Sequence, residues 1–180
     1  HCARRKYVVH AKGIAWYQEQ IRALGASFEK PDPSLDLGPR MLHHGWQKQS
    51  GNGKLAYGAW IENGRIINGP DGDLQSMVRH LMDKYPVELM LTPNQDLLFA
   101  NIPPEAKEQF THDLKEYGQG QRNGKPASTL RVLSGACVGL YTCRLSYTES
   151  EQFEPVLLDE LDKLGYGDTR ASIGIPGCGL

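Results

Sequence analysis

The chain has 180 residues, enough for one substantial hydrophobic core or two small ones. Its formal charge of -1 at pH 7 gives no overall attraction to nucleic acid or to anionic lipid. No run is long and apolar enough to cross a bilayer and no signal-peptide pattern is present, so neither a nucleic-acid nor a membrane partner is expected. Four cysteines in a chain that is neither small nor cysteine-dense predict reduced thiols and a cytoplasmic location, with two disulfides as the alternative.

The opening His1-Cys2-Ala3-Arg4-Arg5-Lys6 lacks an initiator Met and reads as a truncation or a tag remnant. A brief apolar run, Tyr7-Val8-Val9, follows this basic cluster. Ile14, Tyr17, Ile21 and Leu24 recur at helical spacing and predict a helix over 14–24, stopped by Gly25. Residues 26–44, with Pro31, Pro33 and Pro39 among Asp, Ser and Gly, predict an extended linker and a boundary.

A compact unit is expected next. Lys54 to Ile61 is rich in β-favouring residues and predicts a strand; Asn63-Gly64 predicts a hairpin turn returning through Arg65-Ile66-Ile67. Asp71-Gly72-Asp73 can cap a helix bearing the stripe Leu74, Met77, Val78, Leu81 and Met82, which Pro86 ends. Val87, Leu89 and Leu91 predict a third strand, Thr92 to Asp96 a turn, and Leu97 to Ala100 a buried fourth strand. Pro103-Pro104 opens a second helix that runs to Tyr117 and stops at Gly118. The order β-β-α-β-β-α predicts an antiparallel-containing sheet covered by helices, an α+β unit.

Residues 118–129 read as a second linker, and Leu130-Arg131-Val132-Leu133 as a short strand. Phe153, Leu157, Leu161 and Leu164 stripe a further helix with Pro155 in its first turn and Gly165 behind it. Ala171 to Ile175 is strand-like and delivers Cys178.

The stretch with the most chemical content is Gly135-Ala136-Cys137-Val138-Gly139-Leu140-Tyr141-Thr142-Cys143. Its two cysteines lie on a turn-rich loop ahead of a helix, and Cys178 sits between two glycines shortly before the last residue. Thiols presented from loops suit a soft metal centre: sulfurs can converge, and backbone N–H groups offset their charge. A cluster normally takes four such ligands, and this region supplies Cys137, Cys143 and Cys178. A structural zinc site built on the same cysteines and a histidine, a non-catalytic α+β interaction module with incidental thiols, and isolated cysteines buried as small hydrophobes are the competing readings. His43-His44 has no partner spacing and reads as a solvated turn.

Several of these motifs in order resemble a family. Gly45-Trp46, Gly53-Lys54-Leu55 and Glu62-Asn63-Gly64-Arg65-Ile66 come first, then Leu91-Thr92-Pro93-Asn94-Gln95-Asp96-Leu97-Leu98, then Ala136-Cys137, Thr142-Cys143 and Glu149. This sequence of motifs, with Ala3-Arg4-Arg5-Lys6-Tyr7 ahead of a helix, resembles the sirohaem-dependent nitrite and sulfite reductases over nearly the whole chain.

The resemblance implies an enzyme of two pseudo-symmetric halves around a sirohaem coupled to a 4Fe–4S cluster. It reduces sulfite to sulfide or nitrite to ammonia with electrons from ferredoxin or a flavin partner. It implies that residues 1–44 are a helix and linker, that 45–118 are the ferredoxin-like half-domain, and that 130–180 begin the lobe holding the cofactors as a partial α/β unit. The family's Cys-x5-Cys pair matches Cys137 and Cys143; Cys178 matches the first member of its later Cys-x3-Cys pair, whose last cysteine would fall beyond Leu180. By the same resemblance Arg4 and Lys6 lie in a basic stretch near the sirohaem carboxylates, and Asn94 and Gln95 in the family's Asn-Gln turn, serving cofactor contact or turn geometry. The chain departs from the pattern at Pro176, where the family has Ser or Thr, and at Gly179-Leu180. It then reads as a piece of a larger enzyme, inactive alone, whose remaining half and electron donor are its partners.

Overall fold

The computed structural model describes residues 5–27, 34 and 42–178. The chain divides into two compact units, His1–Arg40 and Met41–Leu180. Most of the expected linker over 26–44, and Arg4, lie outside the described residues.

The first unit contains α1 (Arg5–Lys12) and α2 (Ile14–Ala23), separated by Gly13 at φ 82. The expected helix over 14–24 is present as α2, and the apolar run at Tyr7–Val9 lies inside α1. Neither helix buries a residue fully.

The second unit is built on a four-stranded antiparallel sheet of order β1-β2-β6-β5. Its elements are β1 (Gly45–Lys48), β2 (Leu55–Ala59), the two-residue strands β3 (Asn68–Gly69) and β4 (Gly72–Asp73), α3 (Leu74–Lys84), β5 (Glu88–Leu91), β6 (Leu97–Ile102) and α4 (Lys107–Glu116). Apart from the small β3–β4 ribbon this is the expected β-β-α-β-β-α order. The first hairpin, however, is not the expected one. β1 pairs with β2 in the register Gly45↔Gly58 to Lys48↔Leu55, across the turn at 49–54. That turn closes through Gln49 N–H to Lys54 O (2.9 Å) and Lys54 N–H to Asn52 Oδ1 (3.0 Å).

Asn63-Gly64 forms a single 3-10 turn over Glu62–Gly64 instead, and Arg65 to Ile67 is not a strand. Both residues have positive φ, 51 and 71, as a hairpin turn would need, but the next strand, β3, pairs with β4 and not with β2. Gly58 is required by a close approach: a Cβ there would lie 1.7 Å from the His43 carbonyl oxygen.

The sheet packs one face on α3 and α4. Met77, Leu81, Phe99, Ile102 and Phe110 are wholly or almost wholly buried, and Trp46, Tyr57, Tyr85 and Phe99 surround the Phe110 ring at centroid distances of 5.0 to 6.4 Å. Edge-to-face and tilted aromatic pairs of this kind add to simple area burial.

Past Gly118 the chain continues with β7 (Gln121–Arg122), β8 (Lys125–Pro126), α5 (Thr129–Leu133), β9 (Gly135–Ala136), α6 (Phe153–Lys163) and β10 (Gly174–Ile175). The expected linker over 118–129 holds a hairpin. Its turn is Asn123-Gly124, at φ 51 and 72, and Arg122 is paired with Lys125. Leu130–Leu133 is helical rather than extended, because the Ser128 Oγ accepts the Arg131 N–H (3.3 Å) as an N-cap. On α6 the buried positions are Glu154 and Leu158, whereas Phe153 and Leu164 of the expected stripe are exposed.

α3 and α4 are joined by Asp113, 2% exposed. It accepts from Lys84 Nζ (2.7 Å), Tyr85 Oη (2.8 Å) and Gln109 Nε2 (3.0 Å), with His80 Nε2 at 3.2 Å. Burial alone would raise its pKa, but these bonds together outweigh it and hold the carboxyl well below the usual carboxylate range. A depressed folded pKa gives stability that is present above the unfolded value and is lost as pH falls through the folded one. Asp113→Asn is therefore expected to cost about 2 kcal/mol at neutral pH. The gap to wild type should close on acidification below about pH 4, the unfolded value. Thermal unfolding of both proteins across pH checks this; a gap that stays constant into acid would contradict it.

Candidate metal centre

β9 and β10 pair in parallel, Gly135 with Gly174 and Ile175 with Ala136, and α6 lies between them in sequence. This is a small β-α-β arrangement, so both strands end on the same side. Cys137 follows β9 directly, and Cys178 follows β10 after Pro176-Gly177. Two of the three expected thiols thus leave a parallel pair at its carboxyl end, where open α/β sheets bind ligands.

The loop carrying Cys143 is tied to the same place. Gly177 O accepts from Tyr147 N–H (2.7 Å), Thr148 N–H (3.1 Å) and Ser146 Oγ (2.6 Å). Within the loop, Cys143 N–H bonds Gly139 O (3.0 Å) and Ser146 N–H bonds Cys143 O (3.1 Å). A Cβ on Gly177 would stand 2.3 Å from Ser146 Oγ and 3.1 Å from Cys137 Sγ, so only glycine fits between the first cysteine and the residues beside the third. All three thiols are free and half-buried.

Among the described residues the three thiols are not preset as ligands of a single zinc ion. Tetrahedral zinc at about 2.3 Å from each sulfur needs sulfurs about 3.8 Å apart. Among the described residues the only cluster of three ligand types within 4.8 Å of one another is His112, Asp113 and Glu116, on α4. A cluster of several irons and sulfides holds its thiolates farther apart than one ion does, and suits three loop-borne cysteines.

The loops of the four-stranded sheet hold the strand that leads to Cys137. Asn63, buried, accepts the Ala136 N–H at Oδ1 (2.7 Å) and donates through Nδ2 to Glu154 Oε2 (3.1 Å). Gln95 Nε2 donates to Ala136 O (3.3 Å). Gln95 takes φ 69 at the corner of the turn between β5 and β6. That turn is fixed by Asp96, which accepts Ile61 N–H (2.9 Å), meets His44 Nε2 at 2.7 Å, and sends its own N–H to Thr92 Oγ1 (3.1 Å). His44 is therefore a half-buried partner of Asp96, not a solvated turn residue. A cleft of about 290 Å³ opens beside this turn and reaches Val138, next to Cys137.

Burial pushes the Glu154 carboxyl up; the Asn63 bond opposes that, and the Glu62 charge adds to it. Of the remaining expected site residues, Asn94 sits in the same turn as Gln95, and Lys6 lies on the exposed part of α1 with its Nζ 5.0 Å from the Tyr7 ring.

Comparison with known proteins follows this geometry. No family model matches the chain. The sulfite reductase (NADPH) hemoprotein beta-component of Lysinibacillus sphaericus is 33% identical over 181 residues, which cover 98% of this chain and 31% of that protein. That of Methylocella silvestris is 34% identical with the same coverage, 98% and 31%. The chain belongs to the nitrite/sulfite reductase family. A solved structure of the Mycobacterium tuberculosis NirA protein matches with a TM-score of 0.69 and 26% identity, over 98% of this chain and 32% of that one. The chain thus spans about a third of the length of the curated family members it matches (31%).

One feature of this family member gave no sequence signal. Arg131, in the stretch read as a strand, has a fully buried side chain in a cluster of carboxylates. Its guanidinium reaches Glu62 (2.7 Å) and Asp159 (2.5 Å). Arg122 joins Glu62 (3.2 Å), Asp71 (3.1 Å) and Asp159 (2.8 Å). The bond to Asp159, with the charges of Glu62 and Asp71, raises the Arg122 pKa; the same bond, with the charges of Arg122 and Arg131, lowers that of Asp159. These two arginines tie Glu62 and Asp71 to Asp159 on α6. Removing one partner of a buried pair leaves the others uncompensated, so Arg131→Ala is expected to cost about 3–5 kcal/mol. Urea denaturation measures it; a cost under about 1 kcal/mol, typical of an exposed pair, would contradict the assignment.

Proposed function

We propose that this chain supplies three ligands of a 4Fe–4S cluster, Cys137, Cys143 and Cys178, in an enzyme that reduces sulfite to sulfide or nitrite to ammonia. The observation that supports this most directly is the delivery of Cys137 and Cys178 from the ends of one parallel strand pair, with the Cys143 loop bonded to Gly177 beside Cys178. The reductase names of the relatives support the reaction class. Residues 45–118 act as the ferredoxin-like half-domain and 130–180 as the first part of the cofactor lobe. The fourth ligand and much of the sirohaem pocket come from outside these 180 residues. Ferredoxin or a flavoprotein donates the electrons, and the enzyme works in the cytoplasm.

When bound, the cluster and sirohaem would supply the electron-transfer chemistry that reduces the anion. The chain's own residues do simpler things. The thiolates hold the cluster, and the N–H groups of the surrounding turns temper their negative charge. Arg4 and Lys6 offer cationic partners to the sirohaem carboxylates, and Asn94 shapes the turn that carries Gln95.

In the full-length reductase, Cys137→Ser, Cys143→Ser and Cys178→Ser are each expected to lose bound iron and acid-labile sulfide while keeping their far-ultraviolet circular dichroism. Unchanged iron and sulfide in all three would overturn the ligand assignment. The 180-residue stretch alone is expected to show neither reductase activity nor a strong haem absorption band.

A further inference from the structure

We infer that Asn63 and Gln95, both in the half-domain, are positioning residues for the Cys137 thiol: together they clamp the backbone of Ala136, immediately before that cysteine. The inference rests on the reading of Cys137 as a cluster ligand and adds a residue-level account of how that ligand is aimed.

Asn63 Oδ1 receives the Ala136 N–H at 2.7 Å, and Gln95 Nε2 donates to Ala136 O at 3.3 Å. The peptide between Ala136 and Cys137 is then held at both polar atoms, because the Cys137 N–H donates to Ile175 O of β10 at 3.0 Å. One side of this peptide answers to the half-domain and the other to the lobe. With the peptide plane fixed, the Cys137 Cα is fixed too, and only φ and χ1 of Cys137 remain to place the sulfur.

Both clamps are themselves braced. Asn63 Nδ2 is anchored on Glu154 (3.1 Å), and Gly64 leaves so little room that a Cβ there would sit 3.0 Å from the Gln95 Cβ. The two are not equal. Asn63 is buried and short-bonded, whereas Gln95 is exposed and its bond is long, so water competes for it. Groups that orient a metal ligand tune affinity and potential even though they never touch the metal.

Amide hydrogen exchange of the full-length reductase, read on the segment spanning Ala136 and Cys137, tests the clamp. Asn63→Ala is expected to lower protection there about tenfold, and Gln95→Ala about threefold. Asn68→Ala, whose amide bonds only Ser76 near the surface, should leave it unchanged. Iron release to a chelator should quicken in the same order, and the spectrum of the reduced cluster should shift in Asn63→Ala. The pair Asn63→Asp with Glu154→Gln keeps an acceptor for Ala136 and reverses the bond to residue 154, so it should restore protection. Should Asn63→Ala unfold, Gln95→Ala and the double variant still decide the matter. Unchanged exchange at Ala136 and Cys137 in Gln95→Ala, together with failure of the double variant to restore protection, would overturn the inference. Retained iron in Cys137→Ser would instead overturn the ligand assignment and leave the exchange result standing.

Discussion

The side-chain amide of Asn63 is the contact on which the second unit's arrangement depends. It is buried at the end of β2's continuation, and a buried amide costs free energy unless its polar atoms are matched. The segment from β9 to α6 provides the matches: the Ala136 N–H, the Glu154 carboxylate and the Glu151 carbonyl. Asn63 itself must adopt φ 51, a conformation that asparagine tolerates better than most residues. Sliding β9 by one residue past Asn63 would leave the amide facing the wrong backbone atoms. A short polar side chain thereby sets the register between the four-stranded sheet and the β9–β10 pair.

Electrostatics reinforces this seam on its other side. Glu62 immediately precedes Asn63 and receives both Arg122 and Arg131, and Asp71 receives Arg122. Asp159 on α6 accepts from the same two arginines. α6 also bears Glu154, so the amide contact and the arginine cluster fasten the same helix from two directions. The connection from β9 to β10 runs through α6. Holding that helix therefore holds the strand pair from whose ends Cys137 and Cys178 emerge.

The three cysteines are not held alike. Cys137 and the peptide carbonyl before Cys178 are bonded by groups from other segments, whereas the backbone of Cys143 bonds Gly139 and Ser146 inside its own loop. Exposed Tyr141, at φ 71, and exposed Leu145 flank Cys143. The stretch around Cys143 is therefore exposed on both sides of the cysteine, while Ser146 to Thr148 just beyond it are tied to Gly177.

Helices with a clean apolar period and a stop signal were legible from residues alone. Met77 and Leu81 define α3, and the Pro103-Pro104 start and Gly118 end bracket α4, because those signals act within one or two turns of chain. The cysteine spacing and the Asn-Gln turn were legible for the same reason, and the family they resemble is the one to which the chain belongs. The two Asn-Gly pairs mark where local reading stops. Asn63-Gly64 and Asn123-Gly124 share the same left-handed backbone, yet only the second turns a hairpin. Turn chemistry fixes φ and ψ, but a ladder also needs a partner strand, and the partners of β2 are β1 and β6.

Likewise nothing within Leu130–Leu133 announces that its arginine would be the buried member, since the carboxylates that make burial tolerable lie far away in sequence. By itself, the sequence determined most of the helices, the spacing of the three cysteines and the family, all of which are written in short-range patterns. The tertiary structure alone decided which polar groups are buried together and what holds the Ala136 backbone, because each of those depends on atoms more than twenty residues apart meeting at hydrogen-bond distance.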